Sequence, residues 1–305
     1  MTQQSPPVLG FIGVGVMGEP MCRHLAAKSG AQVLVHDSNP EPLERLAAHG
    51  ATPASPDQIG AQASIIFLSL PSGEVVRSVL CGSNGKDGLA AQLHDGQSVV
   101  DLSTSSVDVT LEVAAVLGRR NVRFADAPVM RTRAAAEAGT LAVPVGADDD
   151  LYATIEPLIR TFASDVLHAG NVSAGQVVKI LNNMVLYETV LALSEACAIG
   201  RRAGVDPQVL FDALSKGSAD SFALRNHGFK AILPQAFPEK AFPVSYARKD
   251  VSYAVALAEQ VGVDACGARN LVDTFDRAIA AGYGERYAPA ISLLFEGNTS
   301  SVCPK

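Results

Sequence analysis

No run of 18 apolar residues occurs in the 305-residue chain, so no segment is expected to cross a bilayer. The N-terminal stretch MTQQSPPVLGFIG lacks the basic region that opens a secretory signal, and a cytoplasmic protein is expected. Cysteine is sparse. Cys22, Cys81, Cys197, Cys266 and Cys303 are odd in number and never form a C-x-x-C pair, which argues against a disulfide framework or a zinc site. The six histidines show neither H-x-x-x-H nor HExxH spacing, so no metal is expected. Basic charge is short as well: 24 Lys and Arg against 31 Asp and Glu leave −7. A phosphate backbone needs a basic face, so neither nucleic acid nor an anionic membrane is expected as a partner. Charge runs, internal repeats and low-complexity segments are missing. Gly (26) and Pro (17) stay far below collagen-like or disordered levels.

What is there reads as an ordinary globular protein, 48% hydrophobic and 18% charged. At about 150 residues per domain, the length suggests two domains. Up to residue 168, short β-branched runs alternate with helical patterns. VLGFIG (8–13), QVLVHD (32–37), SIIFLSL (64–70), SVVDLS (98–103), VRFADAP (122–128) and LAVPVG (141–146) predict buried strands. Segments such as 17–28 and 107–119 carry helical spacing between them. This alternation implies βαβ units and a doubly wound parallel sheet over 1–168. Beyond it the strand signal ends, and 169–305 reads as all-α. Residues 174–203 hold no proline and predict a helix of about 45 Å joining the domains. Shorter helices are expected near 207–216, 249–262, 267–282 and 287–295. The long helix is apolar on most faces. It needs more cover than one small helical domain offers, so a homodimer or homotetramer is expected.

Gly13-Val14-Gly15-Val16-Met17-Gly18 is G-x-G-x-x-G, placed after a predicted strand and before a predicted helix. Gly13 permits the tight turn, Gly15 lets a pyrophosphate approach the backbone, and Gly18 lets helix and strand pack closely. The phosphates then meet the free N–H groups at the helix start. Asp37 closes the second strand, where a carboxylate accepts the ribose hydroxyls and repels a 2′-phosphate. No Arg follows at once, so NAD is expected in preference to NADP. FAD proteins share the fingerprint but are usually longer and carry a further nucleotide motif.

Lys179, Asn182 and Asn183 share one face of the long helix, among apolar neighbours. A cation and two amides there demand partners, because unsatisfied burial costs about 1–3 kcal/mol per group. Such a lysine can pass a proton to or from a substrate oxygen. The same spacing fits equally a lysine that snorkels to the surface while the asparagines bond a neighbouring helix. Lys249-Asp250 is expected to open a helix, where an Asp is favourable in any case. Arg131 and Arg133 follow a strand at its C-terminal end, where an Arg fork suits a carboxylate, sulfonate or phosphate. Either one reads as well as a solvated loop residue, Arg133 more so.

FIGVGVMGEPM (11–21), DLST (101–104), DAPV (126–129), GTL (139–141), GQVVKILNN (175–183) and KD (249–250) occur in that order. Together they resemble the β-hydroxyacid dehydrogenase family, over about residues 9–294. The resemblance implies a Rossmann domain and an all-α domain with the oligomer contacts, and a site in the cleft between them. It implies Lys179 as the catalytic lysine, with Ser103, Asn182, Asn183 and Asp250 at the substrate. Gly13, Gly15, Val16, Met17, Gly18, Asp37, Leu70, Pro71, Thr104, Phe242 and Lys249 would line the cofactor.

The chain departs from the family pattern twice. Ser173 stands where the family has a glycine, and Met130-Arg131-Thr132 replaces Ser-Gly-Gly. The second departure resembles the branch containing 3-sulfolactaldehyde reductase and succinic-semialdehyde-reducing enzymes. It implies that Arg131 and Thr132 grip an anionic head group. The activity so implied is hydride transfer between NAD(H) and a short anionic β-hydroxy acid or semialdehyde. An imine reductase on the same scaffold and a non-catalytic NAD-binding protein are the alternatives.

Overall fold

The computed structural model describes residues 7–83, 85–239 and 241–296. Cys303 and the first six residues of the N-terminal stretch lie outside the described residues. The chain divides into two compact units, 1–179 and 180–305, at a point inside the long helix.

The first unit is built on an eight-stranded sheet. Its strands are β1 (Val8–Ile12), β2 (Gln32–His36), β3 (Ala51–Pro53), β4 (Ile65–Leu68), β7 (Ser98–Asp101), β8 (Arg123–Asp126), β9 (Leu141–Gly146) and β10 (Ala163–Gly170). A small antiparallel hairpin of β5 (Gly82–Ser83) and β6 (Lys86–Asp87) stands apart. The sheet order is β10-β9-β8-β7-β4-β1-β2-β3. Helices Gly18–Lys28, Pro40–Ala47, Pro56–Gln62, Gly73–Cys81 and Val107–Gly118 connect the parallel strands. Strand β4 shows why the runs are continuously apolar. Ile65 and Phe67 enter one core cluster and Ile66 and Leu68 another, so both faces are buried.

Two features of the sheet differ from the expectation. It is not wholly parallel, because β9 meets β8 antiparallel at Asp126–Gly146 and β10 runs parallel to β9. After β8 the chain turns back on itself: Met130 bridges antiparallel to Ala142, with the short helix Arg133–Ala138 between them. Strands β3 and β10 were not anticipated. β3 has only three residues and ends on a proline, and β10 is a polar edge strand without an apolar run.

The second unit contains helices Pro207–Leu214, Val244–Gln260 and Cys266–Ala280, the π-helical segment Leu224–Ile232 and the 3-10 segment Ala288–Phe295. Its core includes Tyr187, Leu191, Phe211, Val251, Phe275 and Ile291. The long helix spans Ala174–Arg202. With a mean hydropathy of 1.3 over an 18-residue window, it is long and apolar enough by composition to cross a membrane. That result differs from the reading of uninterrupted apolar runs. Part of its apolar surface is the second unit's own core, through Tyr187, Val190, Leu191 and Leu193. Helix Val244–Gln260 starts earlier than expected, directly after Pro243. Lys249 and Asp250 therefore lie in its second turn rather than at its start.

Candidate active site

The glycine turn follows β1 as anticipated. Gly13 has φ +92°, and its N–H donates to the His36 carbonyl oxygen at 2.9 Å. A side chain on Gly13 would collide with the Ser69 carbonyl, and one on Gly18 with the Gly13 carbonyl. Gly15 is different: apart from its own chain neighbours, no atom of the described residues lies within 4 Å of where its Cβ would stand. The space it leaves open is free for a phosphate. Val16 is exposed, and Met17 packs on the core. No side chain caps helix Gly18–Lys28, whose Glu19 N–H donates to the Gly15 carbonyl oxygen at 3.0 Å; the positive end of the helix there favours an anion. Asp37 braces the turn itself. Its Oδ2 accepts the Val14 N–H at 2.7 Å and its Oδ1 the Asn39 N–H at 2.8 Å. A carboxylate has about four acceptor sites, so capacity for hydroxyl donors remains. These residues fit a dinucleotide.

A second turn follows β7. Asp101 is buried, and its Oδ1 accepts the Ser103 N–H at 2.9 Å while Oδ2 accepts the Ser105 hydroxyl at 3.1 Å. Burial pushes its carboxyl up to about 6, against the pull of the Ser103 and Ser105 hydrogen bonds. Ser103 is buried too, and its Oγ accepts the Leu70 N–H at 2.9 Å. That bond joins the Ser103-Thr104 turn to the Leu70-Pro71 stretch after β4. Thr104 is half-buried and Pro71 exposed.

Asp126, at the end of β8, reaches the start of the long helix. Its Oδ1 accepts the Ser173 N–H at 2.6 Å and its Oδ2 the Gln176 N–H at 2.7 Å. Burial pushes its carboxyl up to about 7, and the neighbouring Asp101 adds to the rise. Ser173, which stands where the family pattern has a glycine, adopts φ +81°, a left-handed backbone that favours glycine. Gln176 is fully buried and bonded to the Ser103 turn. Lys179 is 9% exposed, a lysine largely withdrawn from water.

In the second unit, Asn183 is buried and its Nδ2 donates to Asp250 Oδ2 at 2.7 Å. Asn182 is exposed and donates to Asn183 Oδ1 at 3.1 Å. The other Asp250 oxygen, Oδ1, lies 3.2 Å from Lys249 Nζ; it is paired by charge but not aligned for a hydrogen bond. Lys249 Nζ also stands 5.8 Å and 5.3 Å from the Tyr246 and Tyr253 ring centres. Phe242 stacks on Tyr187 at 6.2 Å and meets Tyr246 edge-on at 6.0 Å.

Arg131 is turned elsewhere than expected. Its backbone takes φ +82°. Nη1 donates to the Thr140 carbonyl at 2.6 Å and Ser164 Oγ at 2.8 Å, and Nη2 to Asp165 Oδ2 at 2.7 Å. Ser164 and Asp165 belong to β10, the outer strand. β10 is five strands from β1, about 24 Å at about 4.8 Å per strand. The guanidinium therefore ties the connection between β8 and β9 to the sheet edge. Thr132 is exposed at the start of helix Arg133–Ala138, and its side chain makes no capping bond there. Arg133 is exposed beside Glu137. Sequence reasoning missed the parts played by Asp126 and Gln176. The available signals were a strand-ending Asp in DAPV and a Gln in the first turn of an apolar helix.

A family model described as the NAD binding domain of 6-phosphogluconate dehydrogenase matches residues 8–170. A second, described as the NAD-binding domain of NADP-dependent 3-hydroxyisobutyrate dehydrogenase, matches 173–293. 2-(Hydroxymethyl)glutarate dehydrogenase of Eubacterium barkeri is 31% identical over 292 residues, 95% of each chain. The solved 3-hydroxyisobutyrate dehydrogenase of Mycobacterium tuberculosis aligns with TM-score 0.84 at 27% identity, over 96% of this chain and 100% of that one. An imine reductase of Myxococcus stipitatus aligns with TM-score 0.64 at 18% identity, over 96% and 100%, and shares the fold alone. The glycine turn, the Ser103 turn and the lysine helix thus belong to an oxidoreductase for CH–OH donors, and the chain is a member of the β-hydroxyacid dehydrogenase family.

Proposed function

We propose that the protein transfers a hydride between NAD(H) and a short β-hydroxy acid or the matching semialdehyde, with Lys179 handling the proton. The observation that carries this is a lysine only 9% exposed, one helical turn before the buried Asn183. Bound on the glycine turn, the nicotinamide dinucleotide supplies the hydride in one direction and takes it up in the other. In reduction, the Lys179 ammonium gives its proton to the carbonyl oxygen as that oxygen gains charge; in oxidation the neutral amine takes the alcohol proton. Asn183 is fixed by its bond to Asp250 and presents its amide in one orientation. The Ser103 oxygen accepts from Leu70 N–H while its side chain bonds the Asp101 carboxyl, which fixes the Ser103–Thr104 turn beside the Leu70–Pro71 stretch. Asp37 supports NAD over NADP, because its carboxylate accepts hydroxyls and repels a 2′-phosphate. Arg131, bound to Asp165, is not given the substrate's acid group in this reading.

Val185 and Ile199 on the long helix remain 58% and 66% exposed, apolar area that a second copy would cover. The test for this is the solution mass, expected to be that of a dimer or tetramer.

NADH oxidation would be followed with 3-sulfolactaldehyde, succinic semialdehyde, tartronate semialdehyde, methylmalonate semialdehyde and a cyclic imine. Turnover of at least one semialdehyde is expected. Turnover of the imine alone would overturn the reading. Lys179→Ala should lower kcat by a hundredfold or more while NADH still binds, and unchanged turnover would remove the lysine from its role.

A further inference from the structure

At the start of the long helix the Ala174 N–H donates to the Asn171 carbonyl oxygen at 3.0 Å. The Ser173 and Gln176 N–H groups on either side of it are met from β8, by the two oxygens of Asp126 at 2.6 Å and 2.7 Å. A carboxylate in that position also complements the positive end of the helix. Small neighbours make the approach possible. A Cβ on Gly175 would stand 2.7 Å from the Asp126 carbonyl oxygen and 2.8 Å from Oδ2, and one on Gly146 would stand 2.9 Å from its Cγ.

Gln176 makes a second tie from the same helical turn. Its Oε1 accepts the Ser105 N–H at 3.1 Å, and its Nε2 donates to the Ser103 carbonyl oxygen at 2.8 Å. The two residues thus lock the helix start to the ends of β7 and β8, which pair in register at Asp101–Asp126. Lys179 follows Gln176 by three residues and shares its face. A lysine stem is long and rotatable, so the reach of its ammonium depends on how firmly its backbone is held. Misplacing a reacting group by 1 Å can cost on the order of a hundredfold in rate.

We propose that Asp126 and Gln176 are positioning residues that hold the first turn of the long helix against the Asp101–Ser105 turn and thereby aim Lys179. Neither needs to touch substrate. The proposal rests on the reading of Lys179 as the proton donor.

Gln176→Glu tests it in the full-length protein. The substitution keeps size and the acceptor for Ser105 but turns the donor toward Ser103 into a second acceptor. A tenfold or greater fall in kcat is expected, with dinucleotide Kd changed less than twofold and aldehyde KM changed less than kcat. In a Lys179→Ala background, the same substitution should remove no more than a further twofold. A kcat within twofold of the parent, or full additivity in the double variant, would overturn the proposal. Should Gln176→Glu fold poorly, Asp126→Asn is held to the same outcomes, since it keeps one acceptor for the helix start. Active Lys179→Ala would sink the lysine reading and this proposal together. Inactive Lys179→Ala beside an unimpaired Gln176→Glu would sink this proposal alone.

Discussion

The two units hold their polar residues by opposite means. In the first, these residues sit at the ends of β2, β7 and β8, and backbone N–H groups hold them: Val14 on Asp37, Leu70 on Ser103, Ser173 and Gln176 on Asp126. In the second, they sit within helices whose backbone is already used, so side chains hold one another, as Asn183 does Asp250. The buried titratable groups differ in the same way. Asp101 and Asp126 in the first unit are acids pushed up to about 6 and about 7. His227 in the second is a base pushed down to about 4 by burial, with Lys230 nearby, and its Nδ1 lies 2.8 Å from the Tyr287 hydroxyl. Strand ends offer fixed dipoles to a ligand, whereas helix faces offer only side-chain pairs and are disturbed by losing one partner.

The sharpest way to break the contrast is at the glycine turn. Gly18→Ala drives a Cβ into the Gly13 carbonyl, and it should weaken dinucleotide binding a hundredfold or more, about 3 kcal/mol. Fluorescence titration with NADH measures this, and a loss under threefold would show that the turn yields. Asp250→Leu in the second unit removes a partner rather than adding a clash. A hydrogen bond to a charged group contributes about 1.5–3 kcal/mol, so urea unfolding should show a loss of that order, with kcat down tenfold or more. Unaltered stability would mean that Asn183 finds another acceptor.

The pH response should separate the units. Asp101 and Asp126 titrate higher folded than unfolded, where 3.8 is the ordinary value. Their contribution is complete below about pH 4 and is lost as pH rises through about 6 and about 7. His227 titrates lower folded than its ordinary 6.5, so its contribution is present above 6.5 and lost as pH falls through about 4. Hydrogen exchange, corrected for intrinsic rates, is expected to show strand β8 gaining protection between pH 7.5 and 5.5 while segment Leu224–Ile232 loses it. Parallel changes in both would contradict this. The smallest effect is expected at Arg131→Ala. The residue is part-exposed and paired with Asp165, and an exposed pair is worth about 0.2–1 kcal/mol. Aldehyde KM should stay within twofold. A tenfold rise would return Arg131 to the substrate.

Much of the first unit was legible because its chemistry is local in sequence. A strand, G-x-G-x-x-G and a helix occupy 8–28, and each glycine's reason lies within a few residues or on the next strand. The six predicted strands were visible as apolar runs because both faces of the sheet are buried. β10 was not, because it lies at an edge, where polar residues are tolerated. Lys179 and Asn183 could be singled out because a cation and an amide interrupt an apolar helix. Asp126 and Gln176 could not be given their task, because the bonds join residues 47 and 50 positions apart, and 71 and 73. The partners of Arg131 were hidden for the same reason. The sequence shows a free guanidinium after a strand, and only the return of the chain through β9 and β10 brings Asp165 to it.

Composition and periodicity by themselves determined that this chain builds a buried sheet followed by helices, because burial of apolar faces follows the 2- and 3.6-residue periods directly. The spacing of the glycines determined where an anion is received. The tertiary structure alone decided which polar groups find each other: Asp126 with the start of the long helix, Asn183 with Asp250, Arg131 with Asp165. A buried polar group takes whichever partner the packing of distant segments delivers, and no period in the sequence records that choice.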